Sequence, residues 1–274
     1  MPTVRTRVGE VSYTDTGAGR PVLLLHATLH DRHDFDVVVE PLERQHRVIA
    51  LDWPSHGESQ PAQHVTGPLL ADVLDDIVNA LQLKDIVLIG NSVGGSAAAR
   101  LAITRPELVA GLVLVNTGGF VPNTVVTKLF CRLMGTPAVT RRVMPRFIRA
   151  YMKPQSASDD RIVARALARA RSDDGIRTAA ALWRSFAAPE YDLRGRAHRI
   201  IAPTLIIWGD RDPTLSIRIG RATHDAIAGS ELHVLHTGHV VFSSDPDGFL
   251  RVVEPFLDSI DARATYSEGD CPRQ

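Results

Sequence analysis

Four runs of near-unbroken aliphatic residues punctuate the first half of the chain: Val22-Leu23-Leu24-Leu25, Val48-Ile49-Ala50-Leu51, Ile86-Val87-Leu88-Ile89 and Leu112-Val113-Leu114-Val115. They are too short for a buried helix and lack polar alternation, so they predict strands covered on both faces, as in a parallel sheet. Between the second and third runs, Leu70, Val73, Leu74, Ile77, Val78 and Leu81 recur at helical spacing. Ser92 to Arg105 is Ala-rich and stops before Pro106, which predicts a helix directly after a strand. Two more strands are expected at Thr204–Trp208 and Glu231–Leu235. Such alternation predicts an α/β fold, a doubly wound and mostly parallel sheet.

The rhythm breaks between Phe120 and Ala202. That stretch is rich in Ala, Arg and Met and has no strand-like run, so it reads as an inserted helical cap. The expected organisation is a core in two parts, 1–119 and 203–262, with the cap at 120–202 and a polar, aperiodic, disordered tail at 263–274. A chain of 274 residues with 44% hydrophobic residues suffices for one such domain. No internal repeat is visible.

Overall charge says little, since 31 basic and 31 acidic residues cancel and nothing points to a nucleic-acid partner. Locally the balance is uneven. From Lys128 to Arg171 there are eleven Lys or Arg against two acids, Asp159 and Asp160. Solvated helix faces account for this, or else a positive lid that attracts a carboxylate-bearing small molecule; only inward-facing arginines could do the latter. Of the two cysteines, Cys131 and Cys271, the second falls in the polar tail, which argues against a disulfide and for a reducing compartment. Met1 to Arg7 has no apolar segment and no 18-residue apolar run occurs, so a cytoplasmic chain without a membrane span is expected. The oligomeric state is left open.

Candidate chemistry centres on Gly90-Asn91-Ser92-Val93-Gly94. This G-x-S-x-G follows a strand and opens a helix, which sets a serine on a strained turn with its hydroxyl exposed. Glycines at 90, 94 and 95 remove Cβ atoms that would strike neighbouring backbone, and the helix N-terminus offers N–H groups to developing negative charge. A serine nucleophile needs a base. Among eleven histidines, His239 lies just past the last strand, with His236 the nearest competitor and His233 inside the strand. The loop after the preceding strand, Trp208-Gly209-Asp210-Arg211-Asp212-Pro213, supplies two carboxylates, either of which could orient the base. His26, His30 and His33 with Asp31 and Asp34 invite a metal site, but the spacing does not fit H-E-x-x-H and no metal is expected.

Taken together, these motifs resemble the α/β-hydrolase superfamily, especially its small lidded members, from about Val11 to Leu257. The segment at His26 is similar to that family's His-Gly oxyanion turn, and Leu51-Asp52-Trp53-Pro54-Ser55-His56-Gly57-Glu58-Ser59 to its D-x-P-G-H-G-x-S loop. Gly238-His239, followed by Asp245-Pro246 and Phe249, resembles its catalytic-histidine loop and closing helix. The resemblance implies a serine hydrolase with Ser92, His239 and Asp212 as triad, the acid standing three residues after Gly209. It also implies oxyanion donors at the backbone N–H groups of Thr28 and Val93, substrate contacts at His26, Phe35 and Asn91, and no cofactor. Two departures stand out: Ala27 and Ser55 occupy positions where the family has glycine. Gly90-Asn91-Ser92 and Gly118-Gly119 are similar to carbon–carbon hydrolases of ring-cleavage products, whereas Val240 stands where those enzymes carry tryptophan. Small-ester, lactone and thioester hydrolysis fit equally well. A hydrolase-fold ligand-binding protein without activity is the alternative of another class.

Overall fold

The computed structural model describes residues 1–269, with side chains through residue 263. It opens on a hairpin that the aliphatic runs do not announce, β1 (Thr3–Thr6) and β2 (Gly9–Gly17), paired antiparallel. In β1 only Val4 and Thr6 are buried, so no continuous apolar run marks it. The aliphatic runs then become β3 (Pro21–Leu25), β4 (Arg47–Leu51), β5 (Ile86–Asn91), β6 (Val109–Val115), β7 (Thr204–Gly209) and β8 (Glu231–Leu235). The sheet runs β1-β2-β4-β3-β5-β6-β7-β8; β2 meets β4 antiparallel, and every later pair is parallel. This is the doubly wound, mostly parallel α/β sheet that the runs predict.

Period-2 alternation sends successive side chains of each strand into two different cores. Leu23 and Leu25 pack with Val73, Leu74 and Ile77 of α2 (Gly67–Ala80), a helix capped by Thr66, whose hydroxyl accepts the Leu69 N–H. Val22 and Leu24 pack on the opposite face with Val38 and Leu42 of α1 (Asp36–Glu43). Because both faces are covered, the strands carry no polar alternation, which is why they read so clearly. The helix α3 (Val93–Thr104) follows β5 directly. Between β6 and β7 lie α4 (Val125–Met134), α5 (Pro137–Met152), α6 (Ala157–Arg169) and α7 (Asp173–Ser185). Three of these start at a Thr or Ser whose hydroxyl accepts a backbone N–H in the first turn: Thr124, Ser156 and Ser172. Short helices α8 (Ile217–Ala226) and α9 (Val241–Ser244) flank β8.

The last helix, α10 (Pro246–Gly269), runs past the point where an irregular tail is expected from 263. Ala and Arg at 262–264 have high helix propensity, which extends the helix without a periodic apolar face. Residues 270–274, Cys271 among them, lie outside the described residues. Among the described residues no helix is long and apolar enough to cross a membrane.

The turn after β3 is held by two buried histidines acting as acceptors. His26 Nε2 accepts the Trp53 N–H at 2.9 Å, and His56 Nε2 accepts the Leu29 N–H at 3.2 Å. Each donates from Nδ1 to a carbonyl, of Ala27 and Pro54 respectively. Burial pushes both imidazoles well below their ordinary range, so both stay neutral as their acceptor roles require. The unfolded chain takes up protons at these rings below about pH 6.5 while the folded chain refuses them. Folding stability therefore falls as pH drops below that point, by up to about 1.4 kcal/mol per pH unit for each ring. The thermal midpoint should decline between pH 7 and pH 5. In His56→Gln, which keeps an acceptor but cannot titrate, the slope of midpoint against pH should be shallower; an unchanged slope would remove His56 from this account.

Candidate active site

Ser92 sits between the last residue of β5 and the first of α3, at φ 56° and ψ −116°. Such a backbone costs on the order of 1–3 kcal/mol and persists only where its surroundings enforce it. Here the enforcement is close packing. A Cβ at Gly94 would come within 2.2 Å of the Leu25 carbonyl oxygen, and one at Gly90 within 2.6 Å of Gly94 and Gly95 backbone. Only glycine lets α3 press this tightly on β3 and β5. Ser92 faces a cavity of about 430 Å³ that it shares with Ala27, Thr28 and His239. Val93 is fully buried and supplies the first N–H of α3, a position with no intrahelical acceptor.

His239 lies on the loop after β8. Its Nδ1 is 2.5 Å from Asp212 Oδ2, with both side chains almost entirely out of solvent. Asp212 accepts more than this one bond. Asn116 Nδ2 donates to the same oxygen at 2.9 Å, and the other oxygen accepts from the Thr214 N–H, the Thr214 hydroxyl and the Leu215 N–H. Burial pushes the Asp212 carboxyl up, but the charge and hydrogen bond of His239 and the bonds from Thr214 outweigh it, and the group is held below its ordinary range. The rival residues pair with each other instead: Asp210 Oδ1 meets His236 Nδ1 at 3.0 Å on the surface, where the His236 side chain is 77% exposed.

Of the three residues expected against substrate, none borders the cavity. His26 is buried and holds Trp53, as described above. Phe35 is fully buried and stacks on Phe242 with ring centroids 4.2 Å apart, so it belongs to the core. Asn91 is also buried; its Nδ2 donates to the Val115 and His239 carbonyls, each at 3.0 Å, and so ties the histidine loop to the sheet. The other histidines and acids at 30–34 are taken up in pairs. His30 pairs with Asp34 and reaches the Tyr151 hydroxyl at 2.9 Å, while His33 pairs with Asp36. Ser55, standing for a glycine, takes φ 64°, and its hydroxyl accepts the Ala62 N–H at 2.8 Å, a bond that helps to fix the turn.

Two residues of the site escape a reading of motifs. Asn116 is the first polar residue after the β6 run, and that position at a strand's C-terminal end was the available signal. Tyr151, on α5, had none. Its carbonyl accepts the His239 N–H at 2.9 Å and its ring meets the imidazole edge-on at 5.2 Å.

The cavity's other walls come from α4, α5, α7 and the loop after β7, with Phe130, Met144, Phe147, Trp183, Phe186 and Leu215 prominent. None of the eleven bases between Lys128 and Arg171 borders it, and the carboxylate that does is Asp192. The expected positive lid is therefore absent from the cavity wall. Arg165 is turned to Asp31 and Asp34, and Arg169 to the Ser55 carbonyl. Arg141 pairs with Asp173.

This geometry has known counterparts. A family model described as the alpha/beta hydrolase fold matches residues 20–246. A 2-hydroxy-6-oxononadienedioate/2-hydroxy-6-oxononatrienedioate hydrolase of Paraburkholderia xenovorans is 32% identical over 270 residues, covering 91% of each chain. Among solved structures, a thermophilic esterase from Thermogutta terrifontis superimposes with a TM-score of 0.80 at 27% identity, covering 94% of this chain and 98% of that one. The enol-lactonase of Burkholderia xenovorans shares the fold, with a TM-score of 0.72 at 24% identity over 94% of this chain and all of its own. With the sheet order, the strained serine between β5 and α3 and a family match that spans both halves of the core, this protein belongs to the α/β-hydrolase fold family.

Proposed function

We propose that the chain is a serine hydrolase of neutral, largely apolar esters or lactones. The observation that carries this reading is the buried 2.5 Å contact of His239 with Asp212 beside a cavity that also exposes Ser92. His239 takes the Ser92 proton as the hydroxyl attacks a carbonyl, and Asp212 fixes the imidazole tautomer and stabilises its cation. The N–H groups of Thr28 and Val93 meet the oxyanion, an effect worth on the order of 10²–10³ in rate per donor. His239 then returns the proton to the leaving alcohol, and water releases the acyl group. In this reading residues 120–202 form the cap over a core of 1–119 and 203–262, and the cap excludes water from the acyl pocket. No cofactor or metal takes part.

Substrate class follows from the cavity wall. Its aromatic and aliphatic lining supports an uncharged acyl or alkyl group, and a substrate carboxylate would find Asp192 but no Lys or Arg there. The second reading, hydrolysis of a carbon–carbon bond in a dienedioate, is favoured by what the Paraburkholderia relative is named for. The two readings differ in the charge they require.

Ser92→Ala and His239→Ala should each lower p-nitrophenyl ester turnover by at least roughly 10³-fold, with unchanged circular dichroism. Asp212→Asn should reduce kcat strongly, while Asp210→Asn leaves it near wild type. The reverse ranking would move the acid role to Asp210.

Neutral p-nitrophenyl esters of medium chain length should show a kcat/KM at least about tenfold above that of ω-carboxylated analogues, since a tenfold ratio needs only about 1.4 kcal/mol of differential desolvation. Faster turnover of a dienedioate than of any neutral ester would establish the second reading instead.

A further inference from the structure

The outer face of α4 is apolar and uncovered. Val125, Val126, Leu129 and Leu133 are 82%, 77%, 67% and 54% exposed, and Phe130 beside them is 43% exposed. Their spacing puts them on adjoining rows of one helical surface, a patch of a kind that monomeric proteins seldom leave open without a partner. The opposite side of the same helix, through Thr127 and Cys131, lines the cavity of Ser92, and Phe130 belongs to both surfaces.

What covers this patch is indicated by charge. Residues 121–155 contain seven Lys or Arg and no Asp or Glu, while the rest of the chain holds 24 bases against 31 acids. On α5, Arg142, Arg146 and Arg149 are exposed at i, i+4 and i+7, and on α4 Arg132 is exposed and Lys128 half-buried. Among the described residues none of these five pairs with a carboxylate; Arg141 alone on α5 does so, with Asp173. A second copy of the chain is a poor occupant, since a two-fold contact would set this basic face against itself. An exposed apolar stripe beside unpaired bases fits a surface that is apolar beneath and anionic at its rim. We infer that α4 and α5 dock this protein on anionic phospholipid bilayers, with the α4 stripe entering the interface and the α5 arginines meeting the headgroups. The mouth of the cavity then faces the lipid phase, and apolar substrates can pass from it to Ser92. Docking rests on the surface alone and is measured without turnover, so it stands or falls separately from the hydrolytic reading.

The test is flotation of the full chain with vesicles of phosphatidylcholine, or of phosphatidylcholine with roughly one-third phosphatidylglycerol. Wild type should float with the anionic vesicles at low salt, bind them less at high salt, and bind phosphatidylcholine at least about tenfold more weakly, since each base near an anionic surface strengthens binding roughly fivefold. The double variants Val126→Asp/Leu129→Asp and Arg142→Glu/Arg146→Glu should each lose at least about tenfold in partitioning. Neither pair borders the cavity, and an unchanged circular dichroism spectrum and thermal midpoint should report that both variants are folded. Equal or absent binding to the two vesicle types would overturn the proposal, as would wild-type partitioning by either variant. So would a sedimentation-velocity dimer that Val126→Asp/Leu129→Asp converts to monomer, because a second copy would then own the face.

Discussion

A carboxylate placed out of water must be surrounded by donors, and at Asp212 this requirement organises the C-terminal edge of the sheet from β6 to β8. Its five hydrogen bonds come from the loops after three adjacent strands: Asn116 after β6, Thr214 and Leu215 after β7, and His239 after β8. Those loops are far apart in sequence and would otherwise be free to move independently. With the carboxylate at their centre, displacement of any one of them strands a buried charge. The position of the imidazole is thus set by a network and not by one contact, and Asn91 adds a further tie by binding the His239 carbonyl.

How much of this was legible beforehand depended on which physical signal each element carries. β3 to β7 are buried on both faces and therefore read as unbroken aliphatic runs, whereas β1 and β2 are half-exposed and carry no such signature. Ser92 was legible because its strain demands glycines in fixed places. The choice of Asp212 over Asp210 was not contained in the residues themselves, and the structure separates them by burial: one sits in a ring of donors, the other meets His236 in solvent. His26, Phe35 and Asn91 illustrate the opposite failure. Each stands next to the site in sequence, yet position along the chain does not say whether a side chain turns toward the cavity or supports it from behind. The reach of the arginines between Lys128 and Arg171 was equally invisible, since helical periodicity gives a face but not the neighbour that face meets.

The separation of basic charge from the cavity also explains how so basic a segment coexists with a largely apolar pocket. Arginines at 165 and 169 are consumed in holding α6 to the loops at 31–34 and 55, and those at 142, 146 and 149 point to solvent. Much of the interior wall is aromatic: Trp183 contacts Phe130, Phe147 and Phe186 at centroid distances of 5.5 to 5.9 Å. Edge-on and tilted packing of this kind lets interlocked ring planes set the shape of that part of the pocket.

The contact between α5 and the histidine loop has a mechanical corollary. The Tyr151 carbonyl holds the His239 amide, and the fit behind it is so close that a Cβ on Gly238 would lie 2.0 Å from the Met152 carbonyl oxygen. The C-terminal end of α5 is therefore a fulcrum. Were the four helices to lift as one rigid leaf, they would take the acceptor from the His239 backbone N–H and leave the histidine loop held only by Asp212 and Asn91.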